Sequence, residues 1–365
     1  MRLADRYVPA LDGVRACSAL AVIAYHVFEQ TPRSYGFAGG FQGVEVFFVL
    51  SGYLITSSLL SEHGQSGAID FLAFYVRRAL RLLPALLLAT AGTTLLAGLL
   101  APTAPGFGLA LGLGALFALT YTTDLAATFG ASTAWLGHTW SLAVEEQYYL
   151  VWPVILAVLA RRRRKFSLIF LAVAALGFVA GTAAAFRIIG HSNAFAPWTH
   201  AFALVLGSAL AVALRQPVPP LLERLAGIGW LGALPLLWWL FRPPSAHTLS
   251  YGGWSAIALL SGAVMLHLLL REEALFSRIL SCKPMVWIGR RSYGLYLYSL
   301  PIGLALQQAD AGVAVTGTLT VLLSVVAAAL SYRFAEEPAL KRKRRPDPQP
   351  ANCCTRCTKA APRAR

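Results

Sequence analysis

Stretches of about 20 mostly apolar residues, the length that crosses a bilayer, recur along almost all of this 365-residue chain. They lie near residues 16–31, 41–61, 82–101, 108–124, 140–160, 166–186, 199–214, 225–241, 254–270, 285–307 and 315–334, separated by short clusters of Arg, Pro and Gly. With 57% hydrophobic residues, 13% charged residues and a mean hydropathy of +0.61, the chain is too apolar for an ordinary soluble domain. The expected fold class is therefore all-α, a polytopic transmembrane helix bundle, because a helix satisfies its own backbone in lipid. The formal charge of +15 sits in knots between apolar stretches and not along one amphipathic face. It reads as a topology determinant and not as a nucleic-acid surface. No short apolar core with a small-residue cleavage site follows Met1 to Ala10, so the first span is expected to stay in the protein.

Basic loops face the cytoplasm. The strong ones are Arg77-Arg78-Arg81, Arg161 to Lys165, Arg271 to Lys283 and Lys341 to Arg345. If all eleven stretches cross, the last three of these clusters land outside. Leaving out residues 108–124 returns every cluster to the side of the N-terminus. That stretch is Gly-rich, follows Pro102 and Pro105, and ends in Thr120-Tyr121-Thr122-Thr123-Asp124, which suits a re-entrant or interfacial segment. The expectation is ten spans in the plasma membrane with both termini cytoplasmic, a membrane domain over residues 1–340 and a disordered basic tail over 341–365. Eleven spans with the charge bias violated is the alternative. Five cysteines, three of them crowded at Cys353, Cys354 and Cys357, do not make a disulfide framework. The tail's C-x-x-C spacing has no second ligand pair or nearby His, so no metal site is expected.

Ionisable residues inside spans cost about 2.5–3.5 kcal/mol each on insertion scales, which makes them functional candidates. Arg15 and His26 are eleven residues apart, three turns plus about 20°, and share one helical face about 16 Å apart along the axis. A buried neutral imidazole can take a proton from a hydroxyl; a histidine satisfied by a backbone or hydroxyl neighbour is the plainer reading. Glu45, in Gly43-Val44-Glu45-Val46-Phe47-Phe48-Val49-Leu50-Ser51-Gly52, is expected at a depth similar to His26, to orient the imidazole or bind an acceptor hydroxyl; an interfacial carboxylate is the alternative. Arg78 and Arg81, three apart at the mouth of span three, offer two forked guanidiniums to phosphates or to lipid headgroups. His138, Ser141 and Glu145 fall at i, i+3 and i+7 on one face, and Glu145 is preferred over Glu146 for that reason.

In this order, Arg15-x10-His26, Gly43 to Gly52, Arg78-x-x-Arg81 and the block His138-Thr139-Trp140-Ser141-Leu142-Ala143-Val144-Glu145-Glu146-Gln147-Tyr148-Tyr149 resemble the membrane acyltransferase-3 family. Ile288-Gly289-Arg290-Arg291-Ser292-Tyr293-Gly294-Leu295-Tyr296-Leu297-Tyr298 and Ser331 to Pro338 extend the likeness to nearly the whole chain. The resemblance implies ten spans with cytoplasmic termini and transfer of an acyl group, most commonly acetyl, from acyl-coenzyme A to a hydroxyl of a carbohydrate-type acceptor. It implies Arg15, Arg78 and Arg81 as donor contacts, His26 as base or acyl carrier, Glu145 as its support, and Glu45, His138 and Ser141 in supporting or acceptor roles. One departure stands out: many members carry an aromatic residue and then His after Leu295-Tyr296-Leu297, where this chain has Tyr298 and Ser299. The soluble hydrolase-like domain that some members append is not seen after Leu340, so the membrane part is expected to complete transfer alone or to hand the acyl group to another protein. A transporter or flippase of a lipid-linked or glycosylated substrate is the rival reading, because polar residues on broken spans also build transport paths.

Overall fold

The computed structural model describes residues 6–29, 37–100, 106–162, 164–189, 194–215, 217–308 and 312–342. The tail's cysteines and most of its basic residues lie outside these. In chain order the helices are α1 (Pro9–Glu29), α2 (Gln42–Ser66), α3 (Phe71–Leu100), α4 (Phe107–Leu119), α5 (Thr123–Thr128), α6 (Trp140–Ala160), α7 (Arg164–Ile189), α8 (Pro197–Ala213), α9 (Pro220–Ile228), α10 (Ala233–Phe241) and the single turn α11 (Ala246–Thr248). They continue with α12 (Trp254–Leu270), α13 (Leu275–Leu280), α14 (Lys283–Gly289), α15 (Ser292–Gln307), α16 (Val313–Ser331) and α17 (Glu337–Arg342). A 3₁₀ turn over Ala134–Thr139 feeds α6. No strand occurs among the described residues.

Among the described residues, eight helical segments are long and apolar enough to cross a membrane: Pro9–Val27, Gln42–Ser66, Phe71–Leu100, Ala134–Ala160, Ser167–Ala184, Pro220–Phe241, Ala246–Leu270 and Val313–Lys341. Two shorter helices, α8 and α15, pack along these long spans. Helix α4 has 13 residues, about 20 Å of helix against a hydrocarbon core of about 30 Å. It lies against α3 and the 3₁₀ turn before α6. The segment over 108–124 is thus a short helix ending in a polar turn.

Helix α2 is the centre of the bundle, with 72% of its most apolar window buried, whereas the window on α7 is 11% buried and faces outward. Lipid supplies no hydrophobic drive between helices, so close backbone approach at small residues holds them. On α2 and α8 this approach is reciprocal: a methyl group at Gly52 would overlap the Leu204 carbonyl, and one at Gly207 would overlap the Val49 carbonyl. Between α1 and α2, Gly43 meets the Ser18 carbonyl and Gly40 the Ala21 carbonyl. These two contacts fix an antiparallel register in which Gly43 is level with Ser18.

A Gly52→Val substitution should therefore lower stability in detergent by at least about 1–3 kcal/mol through overpacking. Gly177→Leu, on α7 with nothing within 4 Å of the added carbon, should stay within about 0.5 kcal/mol of the parent. Thermal unfolding followed by tryptophan fluorescence compares the two.

Candidate active site

At the end of the bundle where α1 begins, Asp12 gathers the chain. It accepts from Arg15 at 3.0 Å and from the Tyr7 hydroxyl at 2.6 Å, and it lies 3.6 Å from Arg290, which itself donates to Tyr7 at 2.9 Å. Partial burial, and then the bond to Asp12, push the Tyr7 hydroxyl above its usual range, so it stays a donor. This clamp ties the Arg15 turn to the Ile288–Arg291 corner.

A cavity of about 360 Å³ opens above it. Arg15, Arg77, Arg78 and Arg81 lie along its cationic part, and Ser51, Ser141, Glu145, Tyr149 and Tyr296 line the rest. A second cavity, of about 690 Å³, is lined by Arg6, Tyr7, Ser57, Ser61, Gln65 and Asp70 among others. The two share Arg15, Leu54, Ser58 and Arg77. The two therefore adjoin, the second on the side of Arg6 and Tyr7 where α1 begins.

The arginines of these cavities differ in their partners. Arg78 donates to Glu146 at 3.2 Å and stacks over the Tyr149 ring at 3.8 Å, so much of its charge is already met by the protein. Arg77 reaches Glu62 at 2.7 Å. Arg81 is exposed along the cavity and pairs with no carboxylate among the described residues. The expected pair Arg78 and Arg81 does line one cavity, and of its four arginines Arg15, Arg77 and Arg78 each have a carboxylate partner while Arg81 has none among the described residues. Glu145 accepts from Ser51 at 2.8 Å and from the Tyr149 hydroxyl at 3.4 Å. Glu145 makes no hydrogen bond to His26 among the described residues.

Beyond Ser141 lies a second polar layer. The Tyr296 hydroxyl donates to the His138 carbonyl and accepts from Ser141. The His138 Nε2 is 3.1 Å from the Leu297 carbonyl, which only accepts, so Nε2 carries the proton and Nδ1 is left with its lone pair. That Nδ1 is buried and unpartnered, and so is the Nδ1 of His26. The two rings are 6.3 Å apart and nearly perpendicular. His26 thus has His138 as its neighbour, not Glu45 or Glu145.

Glu45 departs from the sequence expectation. The register set by Gly40 and Gly43 places it near the Ala16 turn, about 15 Å along α1 from His26. Its partner is the buried His200 of α8 at 2.7 Å, whose other nitrogen is 2.8 Å from the Ala194 carbonyl. His200, Tyr296, Ser51 and Arg77 were not singled out in the sequence. Tyr296 and Ser51 sit inside quoted blocks, while His200 opens a helix beside Pro197 and reads as an interfacial residue.

The sequence model of the family described as an acyltransferase domain matches residues 8–334, a span that contains all of these groups. The chain belongs to the membrane acyltransferase-3 family. Among curated relatives of this member, the peptidoglycan O-acetyltransferase OatA of Listeria monocytogenes is 31% identical over 364 residues, covering 93% of this chain and 57% of the relative. The O-acetyltransferase OatA of Staphylococcus aureus is 31% identical over 366 residues, covering 92% of this chain and 58% of the relative. The chain therefore spans a little over half the length of these relatives. No solved structure matches it.

Within this member of the family, removing one partner of the Arg78–Glu146 pair should leave a partly buried charge uncompensated. Arg78→Met should cost about 3–5 kcal/mol of stability, and adding Glu146→Leu should recover most of it. Thermal unfolding of the single and double variants reads this directly.

Proposed function

We propose that the chain is a multi-pass membrane O-acyltransferase that moves an acetyl group from acyl-coenzyme A to a hydroxyl of a glycan. The observation that carries this reading is the adjoining pair of cavities, cationic where they meet, whose inner member is lined by Ser141 and by Tyr296, the residue that bonds the backbone of His138 next to His26. The donor's phosphates meet Arg15, Arg77 and Arg81, its nucleotide lies in the wider outer cavity, and its slender pantetheine arm extends past Ser51 and Glu145 toward Tyr296. Guanidiniums suit phosphate because their donors match its oxygens in pairs.

At the inner end, His26 Nδ1 takes the proton of the acceptor hydroxyl as its oxygen attacks the thioester carbonyl carbon. The carbon–sulfur bond breaks, and the leaving thiolate takes up a proton as coenzyme A departs. His138 holds the second lone pair beside it and positions the hydroxyl. Ser141 and Tyr296 anchor the backbone of His138 from the donor side. The mouth of the path lies beside the basic N-terminal end, which the positive-inside bias puts in the cytoplasm together with both termini of a ten-span protein in the plasma membrane. The glycan acceptor is supported by the relatives named for peptidoglycan O-acetylation.

A His26→Ala variant should retain acetyl-coenzyme A binding and lose transfer by at least about 100-fold, the lower end of a general base's contribution. Arg77→Ala should weaken donor binding by about tenfold, the worth of a charge-assisted hydrogen bond. Calorimetric titration with acetyl-coenzyme A and a thiol-release assay measure the two. A protein that neither binds acetyl-coenzyme A nor releases its thiol contradicts the reading and favours transport.

A further inference from the structure

Four buried side-chain atoms at the start of α2 and of α12 have no hydrogen-bond partner among the described residues: Gln42 Nε2, Gln42 Oε1, Glu45 Oε1 and Trp254 Nε1. They belong to one neighbourhood. Gln42 and Glu45 are one helical turn apart, Glu45 bonds His200, the His200 ring is 4.9 Å from that of Trp254, and Trp254 is 5.4 Å from Phe41. Buried polar groups in folded proteins are almost always paired, and the pressure is greater where lipid replaces water. Four unmet atoms together therefore call for a ligand or for water.

The kind of atom left over decides the chemistry. The two nitrogens can only donate, and the two oxygens accept. A phosphate offers acceptors alone and an ammonium offers donors alone. Hydroxyl groups do both, so a polyhydroxylated molecule meets all four. His200 does not face such a ligand itself, because both of its ring nitrogens are taken by Glu45 and the Ala194 carbonyl. Its part is to fix one Glu45 oxygen and leave the other free.

The surroundings point the same way. Trp140, Trp254 and Phe48 stand around His200 with ring centres 4.9 to 5.2 Å from it. Such flat apolar faces pack well against the carbon face of a pyranose. Phe48 also lines the inner donor cavity, so this corner and the acyl path share a wall. His26 is connected to the same corner through Tyr25, whose ring is 5.9 Å from Phe41.

We propose that Gln42, Glu45 and Trp254 form the subsite that holds a sugar ring of the acceptor, positioned by His200 and walled by Phe48 and Trp140. The proposal rests on the acyltransferase reading for its biological meaning, though sugar binding itself does not. The test uses the full-length protein in lipid nanodiscs, with chitotetraose as the probe and acetyl-coenzyme A titrated separately. Gln42→Leu removes hydrogen-bonding atoms while keeping bulk, and Trp254→Phe removes the indole N–H while keeping an aromatic face. Wild type should bind chitotetraose saturably, and each variant should bind it about 3–10-fold more weakly while acetyl-coenzyme A affinity stays within about twofold. Absence of saturable chitotetraose binding by wild type overturns the subsite. Unchanged affinity in both variants also overturns it and assigns the four atoms to buried water. Saccharide binding without any acetyl-coenzyme A binding would instead contradict the acyl-transfer reading and leave the sugar subsite standing.

Discussion

Backbone contact between α1 and α2 decides where every reactive group of this protein lies. Gly40 and Gly43 let the helices touch at the Ala21 and Ser18 carbonyls, and no other side chain fits there. Because the helices run antiparallel, this one register settles several depths together. It sets Glu45 near the Ala16 turn and well below His26. It also carries Ser51 toward the end where α1 begins, where Ser51 bonds Glu145. The reciprocal glycine contacts of α2 with α8 bring His200 up to Glu45 in the same way.

On this frame the charges sort themselves by whether the protein already satisfies them. Asp12 is shared among Arg15, Tyr7 and Arg290, Arg78 is held by Glu146 and Tyr149, and Glu45 by His200. Such pairing offsets the desolvation that would make lone charges intolerable in an apolar bundle. Some groups near the cavity remain unmet. Arg81 lies open along the cavity, the Nδ1 atoms of His26 and His138 lack partners, and the Gln42–Trp254 corner holds two donors and two acceptors with nothing to bind. Cations line the cavity near the start of α1, the imidazoles lie deeper, and the hydroxyl-complementary corner sits to the side at the level of the Ala16 turn.

Much of this was legible from residue order. The apolar stretches mark the helices, and the stretch over 108–124 that the basic loops set apart holds the 13-residue α4. Arg15, Arg78, Arg81, Ser141 and Glu145 do converge on one cavity, and His138 does meet His26. Depth was the quantity that residue order misjudged. Counting from span ends puts Glu45 beside His26, because the count assumes spans that begin at equal heights. The glycine contacts slide α2 past α1, and α2, with 25 residues in all, is longer than the roughly 20 a span needs. His200 and Tyr296 were invisible as site residues for a different reason: their partners lie 155 or more positions away in the chain. Only tertiary packing brings them together.

The central claim is that the joined cavities are the donor's path. Ser58 lines both of them, so a cysteine there, in a background whose native cysteines are replaced by serine, reports occupancy from inside the path. The measurement is the rate at which a maleimide labels Ser58→Cys in the purified protein with and without saturating acetyl-coenzyme A. The account predicts strong protection by acetyl-coenzyme A and none by acetate. An unchanged labelling rate at saturating acetyl-coenzyme A would contradict it.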